Sequence, residues 1–243
     1  MIPNVLSIAG SDPSGGAGIQ ADIKAISANG AFAMTAITAL TVQNTQGVTG
    51  IHLIPAEFVQ DQITTIFDDI RVDAVKIGMI ASAETAAAVA HALEKYTDLP
   101  VVLDPVMIAK GGAALLQKNA IDTLRDRLLP LATLLTPNLP EAAHLLDTET
   151  AKTRNEMATQ GAALCLLGAK AVPNSKHPWH RLHAVIGIGS AVGERKNPHD
   201  GHSNCQILCR ASHCKRRQII GGEWPRPHPP FRRPLLQMKM RTS

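Results

Sequence analysis

Oxygen-bearing side chains recur where apolar runs of this sequence end. Asp104 closes the run Pro100-Val101-Val102-Leu103 and precedes Pro105. Asn138 and Glu141 stand in Asn138-Leu139-Pro140-Glu141, just after another apolar run. Such donors beyond neighbouring strands suit Mg²⁺, held directly or through water against a polyphosphate. The same spacing is that of a capping box, with Asn138 as the helix cap and Glu141 as its reciprocal partner. Spacing alone leaves both open. Asp22 and Gln43 suit the recognition of a heterocycle, because a carboxylate accepts from an exocyclic amine and an amide both donates and accepts. For Asp22 the alternative is a solvated helix face. Met79 and Val106 suit an apolar wall, although each taken alone reads more readily as plain core.

These residues need elements to hold them. Asn4 to Lys24 reads as a buried strand, a turn with Gly10, Gly15, Gly16 and Gly18, then a helix carrying Asp22. A turn of this kind presents free N–H groups at a helix start, where an anion or polar ligand can bind. It is not a phosphate-binding P-loop, because Gly16-Ala17 stands where Lys-Ser/Thr is needed, and it is not a G-x-G-x-x-G fingerprint. Strands are expected at 36–44, 72–79, 100–107 and 130–138, with a further one starting at Ala169. Helices are expected from Pro55 to Phe67, after Ser82, over 119–128, from Leu139 and over 156–167. Alternating strands and helices predict a mostly parallel sheet with helices on both faces. In such sheets ligands bind beyond the carboxyl ends of the strands, where Asp12, Gln43, Asp104 and Asn138 all fall.

The chain has 243 residues, of which 45% are hydrophobic, 18% charged and 3% aromatic. That is a globular composition with too few aromatics for a base-stacking surface. No apolar run has the length of a membrane span, and the start lacks the pattern of a secretory signal. Four cysteines do not suggest a disulfide framework. The expected location is the cytoplasm. The net charge of +4 is unevenly placed: residues 1–172 carry 11 Lys and Arg against 17 Asp and Glu, and residues 173–243 carry 13 against 3. The second segment also holds 7 of the 10 histidines and 8 of the 16 prolines.

Five segments in order, AGSDPSGGAGIQADIK, ALTVQNTQGV, VKIGM, VVLDPVM and LLTPNLPEA, closely resemble the hydroxymethylpyrimidine/phosphomethylpyrimidine kinases of thiamine biosynthesis, in the ribokinase-like superfamily. The resemblance runs from Asn4 to Val172. It implies a three-layer α/β/α kinase domain over 1–172 that phosphorylates a pyrimidine alcohol and then its monophosphate, using ATP and Mg²⁺. It places Gly10, Asp22, Gln43, Met79 and Val106 at pyrimidine-site positions. Asp104, Asn138 and Glu141 match the nucleotide and magnesium region. The expected partners are the small pyrimidine and a second copy of the chain, with no membrane and no specific nucleic acid.

Two elements that the resemblance implies are missing after Ala169: a Lys-Gly-Gly segment that meets the phosphates, and a Gly-Thr-Gly-Cys turn that supplies an anion hole and a cysteine base. No catalytic residue of the family is therefore retained. The genetic code accounts for the loss. Moved forward by one base, the codons of Lys176 to Gly187 (KHPWHRLHAVIG) permit Asn-Thr-His-Gly-Thr-Gly-Cys-Thr-Leu-Ser-Ser-Ala. Trp179 followed by His180 forces the first glycine. In the same frame Trp224 to Pro227 permits Gly-Pro-Val-His. Residues 173–243 thus read as a frame-shifted, irregular basic tail that is no domain, with a few dozen residues lost at the junction. The tail's Cys205, Cys209, Cys214, His202 and His213 match no common zinc spacing. His177, His180 and His183 fare no better, and the tail's charge supports at most weak, unspecific nucleic-acid contact.

Overall fold

The computed structural model describes residues 1–107, 116, 118–173 and 207–209. Strand β1 (Asn4–Ala9) leads through the glycine-rich turn into α1 (Gly18–Ala28), followed by β2 (Phe32–Ile37), β3 (Ala39–Gln43) and β4 (Val48–Leu53). Then come α2 (Ala56–Asp69), β5 (Ala74–Ile77), α3 (Ala83–Leu93), β6 (Val101–Leu103) and α4 (Lys118–Thr123). A π-turn over Leu124–Leu128 and a 3₁₀ turn over Leu129–Leu131 continue α4 and deliver the chain to β7 (Leu134–Leu135). Helices α5 (Leu139–Leu146) and α6 (Arg154–Leu166) lead to β8 (Ala171–Pro173).

The central sheet has five parallel strands in the order β2-β1-β5-β6-β7. Alternation along each strand sorts the side chains between two layers. Leu6, Ile8, Val75, Ile77, Leu103 and Leu135 face one way and pack with Val59 and Ile63 of α2 and with Val89 and Leu93 of α3. Val5, Ala74, Val102 and Leu134 face the other way and pack with Ile26 of α1. This is the expected three-layer arrangement. From β1 the chain passes first to β2 on one side and later to β5 on the other, so β1 and β5 flank a topological switch point.

The expected strand at 36–44 is two strands of different sheets. Residues up to Ile37 belong to β2, whereas β3 turns away to pair antiparallel with β4 as a separate hairpin. The break falls at Thr38, which is fully buried and whose hydroxyl donates to the Met79 carbonyl oxygen at 2.6 Å. A continuous run hides such a break because apolar residues and threonine continue across it from β2 into β3. β4 has no counterpart in the sequence reading, since as a mostly exposed hairpin edge it lacks the buried alternation of a core strand. Within the tail, Ile207–Cys209 forms a strand, β9, antiparallel to β8. That is one regular segment where the sequence suggests none. The tail's other candidate ligands and its histidines lie outside the described residues.

Candidate functional site

The glycine-rich turn is closed on itself. Asp12 is 2% exposed, and its carboxylate accepts from Ser14 N at 2.9 Å, Ser14 Oγ at 2.7 Å, Gly16 N at 3.0 Å and Ala17 N at 2.7 Å. Burial pushes the Asp12 carboxyl up, but the hydrogen bonds from Ser14, Ala17 and Gly16 outweigh it and hold the group below its ordinary value. The N–H groups that could have cradled a phosphate are thus taken by the turn's own side chain. Gln20 Oε1 accepts from Asp12 N at 2.7 Å, which fastens the turn to α1.

Around the switch point the sequence-expected residues converge. Gly10 follows β1, and Met79 follows β5 by two residues. A Cβ on Gly10 would stand 2.9 Å from Met79 Sδ, so only glycine leaves room for that thioether. Met79, Ala39 and Ala81 form a small apolar cluster with Val106 against it. Ala81 holds φ at +68°, a conformation alanine resists, and its methyl is thereby turned into the cluster. The hairpin is clasped onto this wall by Ser11 and Thr41. Ser11 N donates to the Ala39 carbonyl at 2.8 Å, and Thr41 N donates to Ser11 Oγ at 3.2 Å. The Thr41 hydroxyl shares its proton between the Ser11 carbonyl oxygen at 2.8 Å and Gln43 Oε1 at 3.2 Å. Gln43 is therefore held by the residue that clamps the hairpin.

Asp22 is not on a solvated face. It is 4% exposed, and its Oδ2 accepts from Ser7 Oγ at 2.6 Å and from Lys76 Nζ at 2.8 Å. The sequence reading missed Lys76, Ser7, Ser11, Thr38, Thr41 and Ala81. For Lys76 a signal existed: a cation in the middle of the otherwise apolar β5 must find a buried partner. Nothing in the sequence marks Ala81.

Further along the sheet, Asp104 lies just beyond β6. Its N–H donates to the Ile77 carbonyl at 2.8 Å, and its carbonyl oxygen accepts from Val106 N at 2.8 Å. Asn138 and Glu141 form the capping box of α5: Asn138 Oδ1 accepts from Glu141 N at 2.8 Å, and Glu141 Oε2 from Asn138 N at 2.7 Å. Between the two possibilities open in the sequence, capping is what the geometry displays. Among the described residues no three His, Cys, Asp or Glu side chains gather as a metal cage. Carboxylates beyond the neighbouring strands β6 and β7 still fit a Mg²⁺ whose other ligands are water and phosphate, which is how this ion is commonly bound.

The sequence model of the family described as phosphomethylpyrimidine kinase matches residues 12–175. The chain belongs to that family. Over 169 residues it is 53% identical to the hydroxymethylpyrimidine/phosphomethylpyrimidine kinase of Escherichia coli K12, a match covering 70% of this chain and 64% of that protein. The chain thus spans less than two thirds of the length of that relative. The crystal structure of phosphomethylpyrimidine kinase from Clostridium difficile 630 superposes with a TM-score of 0.66 at 43% identity, covering 70% of this chain and 74% of the other. A Bacillus subtilis pyridoxal kinase in complex with ADP gives a TM-score of 0.65 at 36% identity, covering 71% of this chain and 66% of that one. The family is one of kinases, and its fold is the ribokinase-like one. The family match ends two residues beyond Pro173, close to the change in charge composition. Among the described residues no helix is long and apolar enough to cross a membrane.

Proposed function

We propose that this chain is built for ATP-dependent phosphorylation of 4-amino-5-hydroxymethyl-2-methylpyrimidine and its monophosphate in thiamine diphosphate biosynthesis, in the cytoplasm, and that as translated it keeps the pyrimidine-binding half of the site. The observation behind this is the packing of Met79 over Gly10 and of Val106 against the Met79 cluster at the β1/β5 switch point, with Gln43 tied to Ser11, the residue after Gly10, through Thr41. In this reading Met79, Val106, Ala39 and Ala81 pack against the ring, Asp22 accepts from its polar edge, and Gln43 both accepts from and donates to it. Asp104 and Glu141 would hold Mg²⁺, which offsets phosphate charge when bound. The substrate oxygen bonds to the γ-phosphorus, the bond from that phosphorus to the β–γ bridging oxygen breaks, and the hydroxyl proton leaves to a base.

That base and the anion hole belong to the segment we read as frame-shifted, so residues 173–243 contribute no catalytic group. The leading expectation for this chain is binding with little turnover. A homodimer is part of the proposal. Leu40 and Val42 are 46% and 66% exposed on the β3–β4 hairpin, an apolar surface that a second copy would cover.

The deciding experiment compares the full chain with a version whose reading frame is restored and whose missing segment is replaced. Pyrimidine binding is followed by ligand-observed NMR, and MgATP-dependent product formation by chromatography. The full chain is expected to bind the aminopyrimidine while turning over at least ~100-fold more slowly than the repaired version, since an anion-hole donor and a base each contribute about that much. Equal rates would show that the tail costs nothing. Absence of binding in both would remove the pyrimidine assignment.

A further inference from the structure

Beneath α1, three polar side chains are buried together inside the sheet layer. Ser7 of β1 and Lys76 of β5 are direct cross-strand partners, and Asp22 reaches them from the second turn of α1. All three are buried, with exposures of 0%, 8% and 4%. A charged pair taken out of water is a poor stabiliser, because its desolvation offsets its attraction. Apolar residues of similar volume would serve the fold as well, so the arrangement calls for another reason.

Its location and its bonding supply one. Lys76 runs along β5 toward the strand's carboxyl end, where its Nζ would stand 2.8 Å from a Cβ on Gly78. Gly78 immediately precedes Met79 of the candidate site, so the ammonium sits at the end of β5 that leads into that site. Both donors go to one oxygen: Ser7 Oγ and Lys76 Nζ bond Asp22 Oδ2. Oδ1 accepts no hydrogen bond from a described residue. A carboxylate pinned through one oxygen cannot swivel, and its second oxygen becomes a fixed, single acceptor.

We propose that Ser7 and Lys76 are positioning residues for Asp22: by taking Oδ2 they leave Oδ1 as the one acceptor this carboxylate offers to a heterocycle in the β1/β5 crevice, which selects a ligand with an exocyclic amine over one with a carbonyl at the same place. This rests on the pyrimidine reading above and adds the origin of its selectivity. A ligand carbonyl would meet Oδ1 as acceptor against acceptor, and sites built around a fixed polar partner reject such a mismatch strongly. Without Lys76 the carboxyl group is free to turn, and its accepting oxygen is no longer held in one position.

The test uses the full chain and ligand-observed NMR titration with 4-amino-5-hydroxymethyl-2-methylpyrimidine and its 4-oxo counterpart. The quantity read is the ratio of the two dissociation constants. Partial unfolding of a variant weakens both ligands by the same factor and leaves the ratio alone, so a merely structural role does not move it. The wild-type chain is expected to favour the amine at least ~30-fold. Lys76→Met and Ser7→Ala should each lower that ratio, Lys76→Met to within about 3-fold of unity. Gly78→Ala disturbs the same ammonium sterically without removing a charge, and it should lower the ratio too. A preference for the amine that survives unchanged in all three variants overturns the positioning role alone. A wild-type chain that binds both ligands equally also overturns it. A wild-type chain that binds neither overturns it together with the pyrimidine reading.

Discussion

Two glycines of the opening turn, close in sequence, should respond oppositely to a single methyl group. Gly18 begins α1 with φ at +55°, and a Cβ there would be driven into the carbonyl oxygen of Gly10. That oxygen accepts from Ile19 N at 3.0 Å, the bond that ties the helix start to the end of β1. Gly18→Ala therefore forces a left-handed alanine, at about 1–2 kcal/mol. It loses or stretches one hydrogen bond, at about 1 kcal/mol, and overpacks backbone against backbone, at about 1–3 kcal/mol. The smallest sum is ~3 kcal/mol, which for a domain of this size lowers the melting temperature by about 6–12 °C. Gly10→Ala differs in each respect. Gly10 is not among the positive-φ glycines, and the methyl would meet Met79 Sδ at 2.9 Å and the Ala39 carbonyl oxygen at 3.6 Å. A thioether adapts, so the stability loss should stay below ~2 kcal/mol. The displaced Met79 is a wall of the candidate site, so aminopyrimidine affinity should fall at least ~10-fold through lost fit. Thermal melting by circular dichroism and ligand titration of both variants separate the outcomes. The reasoning is refuted if Gly18→Ala melts within about 2 °C of wild type, or if Gly10→Ala is the less stable of the two.

Asp12→Ala strips the acceptor from Ser14, Gly16 and Ala17 and should destabilise by about 1–3 kcal/mol in denaturant titration. Because the Asp12 carboxyl is held below its ordinary value of 3.8, its contribution is complete above that value and disappears as pH falls through the lower, folded-state one. The melting difference between wild type and Asp12→Ala should thus be flat across neutral pH and shrink only in the acid range below 3.8. Ala81→Gly relieves the backbone at φ +68° while removing a buried methyl, two effects of about 1 kcal/mol that oppose one another, so its stability should lie within ~1 kcal/mol of wild type. Ala90→Gly, at an equally buried position inside α3, has both effects acting against it and should cost about 2 kcal/mol. Asn138→Ala removes the cap of α5 and should cost about 0.5–2 kcal/mol by the same titration.

The elements that proved legible are those in which local chemistry and packing agree. Ser82 caps α3 as read, its hydroxyl accepting from Thr85 N, and α5 runs over Leu139–Leu146 as Asn138, Pro140 and Glu141 suggest. The alternating layers follow from short apolar strands buried on both faces. The hairpin was not legible, because β3 and β4 answer to neighbours remote in sequence: Thr38 to Met79, Thr41 to Ser11. At the candidate site the residue types pointed to ligand contacts but could not show how they are held. Asp22 is fixed by a lysine 54 residues away, a pairing that no local pattern encodes. Asp12 was visible as a strand-end carboxylate, but its task of closing the turn depends on a backbone path that only the folded chain displays.

That closed turn has a consequence for how the two halves of such a kinase relate. With Asp12 bound to the N–H groups of Gly16 and Ala17, a phosphate could enter the opening turn only by displacing a buried carboxylate that already satisfies them. The turn's positive-φ glycines serve internal geometry, and its outward gift to the site is the space above Gly10. Phosphate handling must then come from elsewhere in a complete enzyme, in keeping with an anion hole at a later helix start. The half we propose for the pyrimidine is held by bonds among β1, α1, β3 and β5 and the residues that follow them, all within the first eighty residues. None of those bonds involves residues 173–243. On the function proposed above, binding of the heterocycle and transfer of the phosphoryl group are separable, and the change of frame we propose after Val172 should slow the second strongly while leaving the contacts of the first in place.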